Sequence, residues 1–208
     1  MKKQVLFILV LMLGLVAPLT AQNNKKDDAR IKLAREKYAE AMAKIASVKQ
    51  YEEDNIPNVN YTTVVRQQNW AGSGMRNDKI EFYYNEIEDE EEEYNPFPVG
   101  YSLLIARRTY NISDREFFEE YICDEKENPL FWFTRYDGFD ENFDVIKVEL
   151  RQYYDENGEA IRVICKISDE KGQMKECGMD DFVNVLAHAI DNFRQIKKAF
   201  HGIYDINY

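Results

Sequence analysis

Between Asp27 and Tyr51 apolar side chains return every three or four residues: Ile31, Ala34, Tyr38, Ala41, Met42, Ile45 and Val48. That is the helical period, so the segment predicts an amphipathic helix with its charged residues in water. Asp27 and Asp28 suit the positive end of its dipole, and Asn55, Pro57, Asn58 and Asn60 end it. The period then changes. Tyr61 to Gln68 and Lys79 to Asn85 are rich in Thr, Val, Tyr and Phe and predict strands around a Gly72/Gly74 turn. Tyr101 to Tyr110 predicts another. The clearest hairpin is Val145 to Tyr154 with Ala160 to Ile167, bent at Asn157-Gly158. Ile146, Val148 and Leu150 share one of its faces, and Lys147, Glu149 and Arg151 share the other.

Two stretches read less simply. In residues 113–124, Ser113 with Glu116 fits a helix capping box. A short helical turn followed by a strand, Glu119 to Asp124, that pairs with Leu130 to Tyr136 makes the simpler connection, and we favour it. The run from Glu86 to Glu93 is almost wholly acidic and predicts a solvated mobile loop, not a metal site, since it lacks the periodicity of a calcium loop. The chain closes with a second amphipathic helix from about Met179 to Phe200. Its stripe is Phe182, Val183, Leu186, Ala189, Ile190, Phe193, Ile196 and Phe200, and Gly202 follows as a stop signal. The fold class is therefore α+β: an antiparallel meander sheet of about six or seven strands, covered by an N-terminal and a C-terminal helix.

The first 21 residues stand apart. Lys2 and Lys3 precede the apolar run Val5 to Val16, then Pro18, a small residue at Ala21 and an abruptly polar continuation. That order predicts a signal peptide over residues 1–21, cleaved near Ala21, and a single domain over residues 22–208 in the periplasm or secreted. The apolar core is about 12 residues, short of the roughly 20 a spanning helix needs, so stable membrane insertion is not expected. The chain carries 27 basic and 38 acidic residues, for a net charge of −11. Loss of the leader removes two lysines and no acid, giving −13. This balance disfavours nucleic acid and anionic membranes as partners.

Candidate chemistry is sparse. The two histidines, His188 and His201, have no cysteine nearby in a zinc pattern, and no metal or other cofactor is expected. Ser73 lies in a glycine turn without the spacing of a nucleophile elbow. The three cysteines, Cys123, Cys165 and Cys177, form no CxxC motif and read chiefly as small apolar residues, with Cys165 and Cys177 the pair best placed to bridge. Aromatics are abundant, and alternation puts Trp132 on the opposite face from Phe131 and Phe133. Trp70, Trp132, Arg135 and Tyr153 are the ligand-binding candidates, for a protein or a glycan. The stretches QNNKKDD, KIEFYYN and EEYICDEKENPLFWF resemble uncharacterised small exported proteins of Bacteroidetes, over most of the mature chain. The resemblance implies an envelope or secreted setting and supplies no catalytic residues. Two functions follow as expectations: a non-catalytic envelope or secreted binding or structural protein, or an envelope hydrolase using paired carboxylates, directed at glycans.

Overall fold

A computed structural model describes residues 2–56, 60–72, 74–88, 98–140, 142–169 and 171–204, with side chains from Lys25 onward except that of Asp181. The order is α1 (Lys2–Glu53), β1 (Tyr61–Trp70), β2 (Gly74–Ile87), β3 (Gly100–Ile112), β4 (Arg115–Cys123), β5 (Pro129–Phe139), β6 (Val145–Tyr154), β7 (Ala160–Ser168), β8 (Met174–Glu176) and α2 (Val183–Tyr204). The eight strands form one antiparallel sheet in chain order, so each described strand pairs with its sequence neighbours. The sheet is open, and the helices cover opposite faces. The strand count exceeds the expected six or seven because a three-residue strand, β8, follows the last hairpin. The segment at 113–124 is a tight turn and then β4, which begins at Arg115, four residues before the expected strand and in place of the expected helical turn; Ser113 is at φ +58, whereas a helix cap would need an extended backbone. From Asp89 the acidic run lies outside the described residues, as does Ser73.

Alternation along the strands sorts the side chains into two cores. On the α1 face, Tyr83, Ile105, Ile122 and Phe131 meet Ala34, Ala41, Ile45 and Val48. On the α2 face, Phe82, Ala106, Tyr121, Trp132, Leu150 and Cys165 meet Ala189, Phe193, Ile196 and Phe200. Three register shifts fall at one end of the sheet, at Tyr83/Tyr84, Ile122/Cys123 and Tyr153/Tyr154. Each leaves an extra residue in the partner strand: Leu104, Leu130 and Ile161. These are bulges, which break strict alternation and increase twist. Through them Leu104 and Ile105, and likewise Leu130 and Phe131, all join the α1 core.

Two features of α2 differ from the sequence pattern. Val183 is 56% exposed, while Phe182 just before the helix and Leu186 and Ala189 within it pack against the sheet. Gly202 does not stop the helix, which runs on to Tyr204. The extra turn is held by Tyr204, whose ring lies 4.4 Å from that of Tyr101 and whose hydroxyl is 2.7 Å from Thr62 Oγ1.

Four of the turns share one construction. In Asp124–Asn128, Asp140–Asp144, Asp155–Glu159 and Asp169–Gln173, the Asp N–H donates to the fifth residue's carbonyl and the fourth N–H donates to the Asp carbonyl. The Asp Oδ1 accepts the third and fifth N–H groups at 2.8–3.0 Å. The fourth residue is left-handed in all of them: Glu127, Phe143, Gly158 and Gly172. This hydrogen bonding, closed by a left-handed residue, is that of the three-residue hairpin loop. Of the Asn157-Gly158 pair, only Gly158 takes the left-handed conformation.

Candidate functional site

The register builds the site row by row. Under α1 the row Tyr83, Ile105, Ile122, Phe131 and Tyr153 is apolar or aromatic. The next row outward runs Glu81, Arg107, Glu120, Phe133 and Arg151, and the one beyond includes Phe118, Arg135 and Glu149. Beside α1, along Ala34 to Tyr38, a cleft of about 340 Å³ opens, lined chiefly by Arg35, Tyr38, Glu120, Phe133, Arg151 and Tyr153. Small Ala34 on the same helix face leaves the space.

The floor of the cleft is aromatic. Phe131 meets Tyr38 edge-on at 6.0 Å and Tyr153 at 5.0 Å. Phe133 is overlaid by the Arg151 guanidinium at 5.2 Å. At the back sits Glu120, only 2% exposed. Its Oε1 accepts two hydrogen bonds from Arg107, at 2.8 and 2.6 Å, which is how so buried a carboxylate is tolerated. Its Oε2 meets the Tyr38 hydroxyl at 3.4 Å, beyond the usual range for an O–H···O bond. Burial, then the Glu120 charge, pushes the Tyr38 phenol up, so the hydroxyl stays protonated. Arg151 also donates to Glu149 at 2.9 Å. Chemically, the cleft offers ring faces, one underused acceptor and guanidinium donors.

On the α2 face a second network is closed off. Arg108 donates to both oxygens of Asp78, at 2.8 and 2.6 Å, and lies 3.8 Å from Glu119. Tyr121 donates to Glu119 at 2.6 Å. Burial raises the Glu119 carboxyl, and these partners only partly oppose it. The carboxylates of Asp78 and Glu119 are thus cross-braced by one arginine. The aspartates around the β5–β6 and β7–β8 turns border a groove of about 1000 Å³. Asp140 and Asp169 there use Oδ1 to hold their own turns. Among the described residues no three metal-ligating side chains gather.

The four sequence candidates do not converge. Trp132 is 1% exposed in the α2 core, its indole N–H buried without a well-formed hydrogen bond. Its alternation holds, but the face opposite Phe131 and Phe133 is the one α2 covers. Trp70 is exposed at the far end of β1, with the Arg76 guanidinium 5.0 Å from its ring. Arg135 lies over Phe118 at 4.7 Å, in the row beyond the cleft. Only Tyr153 lines the cleft. Tyr38, Glu120, Phe133, Arg35 and Arg151 join it, and the sequence signal for Glu120 is an acid between Phe118 and Ile122 in a strand.

Comparison with family models, curated proteins and solved structures returns no match to this chain, so the site rests on its own chemistry.

Proposed function

We propose that this chain is a non-catalytic binding protein of the cell envelope or secreted space, and that the cleft beside α1 holds one ring of a glycan ligand. The observation that carries the reading is the aromatic floor with Glu120 and Arg151 at its edges. A sugar ring has apolar C–H faces that stack on aromatics and rim hydroxyls that bond to carboxylates and guanidinium groups. The leader at residues 1–21, with cleavage near Ala21, and the resemblance to exported Bacteroidetes proteins support the location. No helix of the described residues is long and apolar enough to cross a membrane. The hydrolase reading draws less support, because Asp78 and Glu119 are braced by Arg108 instead of facing a cleft.

The test is a glycan array on the full mature chain, followed by titration of the best binder against Phe133→Ala and Arg151→Ala. Loss of one stacking or charged contact is expected to weaken binding roughly tenfold, about 1.4 kcal/mol, with circular dichroism unchanged. Glycan binding unaffected by both substitutions, or turnover of the bound glycan, overturns the proposal.

A further inference from the structure

The β7–β8 ladder pairs Ser168 with Met174, Ile167 with Lys175 and Lys166 with Glu176. The next pair in that register is Cys165 and Cys177, and the Cys177 N–H donates to the Cys165 carbonyl at 3.1 Å. The two cysteines are therefore directly opposite each other in a hydrogen-bonded antiparallel pair. Such pairs hold their Cα atoms about 5.5 Å apart, inside the range a disulfide spans. Both side chains point to the α2 face, where Cys165 is buried in the core and Cys177 packs against it half-exposed. The Cys177 thiol lies within hydrogen-bonding reach of the Cys165 sulfur. Cys123 is elsewhere, buried on β4 with its thiol donating to the Leu103 carbonyl at 2.9 Å.

We propose that Cys165 and Cys177 are a redox site, and that a disulfide-bearing oxidant joins them across β7 and β8, with the short β8 closing locally toward β7. The more accessible Cys177 reacts first. Its thiolate attacks the oxidant's disulfide, forms a mixed disulfide and releases one thiolate. Cys165 then gives up its proton and attacks the Cys177 sulfur, expelling the second thiolate. Two protein thiols become one disulfide, and the oxidant takes two electrons and two protons as two thiols. The bond would close the β7–β8 hairpin and fix the three-residue edge strand that leads into α2. A short edge strand has little ladder of its own, so a covalent tie there restrains what hydrogen bonds hold weakly. This proposal is independent of the cleft and its ligand.

The experiment uses the full chain, purified reduced and equilibrated with oxidised and reduced glutathione. Thiol titration in denaturant should fall from three to one, the mass should drop by about 2 Da, and peptide mapping should join Cys165 to Cys177. The melting temperature should rise by roughly 5–10 °C, the shift expected of one disulfide in a domain of this size. Cys177→Ser should abolish both changes, while Cys123→Ala should leave the bridge intact. If Cys177→Ser fails to fold, blocking Cys177 with iodoacetamide in the native reduced protein is the equivalent test. Three thiols under fully oxidising glutathione, a bridge to Cys123, or a stable glutathione adduct on Cys177 overturns the proposal.

Discussion

At the scale of single residues, Glu127 does the most for its size. It occupies the left-handed slot of the β4–β5 turn at φ +57, where the Asp155 and Asp169 turns have glycine. In return its carboxylate accepts the Leu103 N–H at 2.9 Å and His201 Nε2 at 2.6 Å, and Lys197 Nζ stands at 3.2 Å. One side chain thus ties a turn, a neighbouring strand and the end of α2. Burial alone would raise its pKa, but the Leu103 N–H, His201 and Lys197 more than reverse this, and the net shift is downward. A lowered folded pKa means stabilisation that is full above the unfolded value of about 4.3 and lost as pH falls through the folded one. Glu127→Gln is expected to cost about 1–3 kcal/mol at pH 7. The gap from the parent should close as the pH drops below about 4. Urea denaturation at several pH values checks this, and a gap that stays constant to pH 3 would contradict it.

At the scale of elements, both helices were legible because each has one buried stripe and one wet face. Phe193, Ile196 and Phe200 of α2 are buried as their spacing predicts. Phe193→Ala should cost about 3–5 kcal/mol. Asp191→Ala should cost under about 0.5 kcal/mol, since its partner Arg194 is a largely exposed ion pair. Equal small effects on chemical denaturation would detach α2 from the core. Strand β4 was harder to read. Glu119 and Glu120 face opposite sides of a sheet covered on both sides, and their partners Arg108 and Arg107 come from β3, about a dozen residues away. No local period can show that neutralisation. The turns, by contrast, carry a local signal. All four begin Asp-Glu, and an Asp followed by a left-handed fourth residue is a code for this loop. Glu127 and Phe143 hide it by standing where glycine is expected. The cleft was legible only through Tyr153, because it depends on how α1 is laid across the sheet, which helix periodicity does not fix.

At the scale of the whole molecule, two helices clamp the middle of one sheet from opposite sides. The best-buried rows run through β3, β4 and β5, whose Ile105, Ala106, Tyr121, Ile122 and Leu130 are fully buried. Strands β1 and β8 lie at the two edges. Hydrogen exchange should follow this layout. Amides of β3, β4 and β5 should open only with global unfolding, and those of β1 and β8 should exchange by local opening. Strong protection across β1, equal to that of β4, would mean that its open edge is covered in solution. The same layout explains why the fold class was accessible from sequence: each hairpin is made by adjacent segments, so local patterns and turns together specify the sheet.

The chain-order sheet also determines how the molecule could grow. Since every described pairing joins sequence neighbours, another Asp-headed hairpin spliced after Glu176 would extend the β8 side with no rethreading of what precedes it. The same hairpin spliced into β4 would have to break the ladders on both sides of that strand and displace both helix contacts. Architectural tolerance is therefore polarised toward the rims, and the middle of the sheet is locked to its present length.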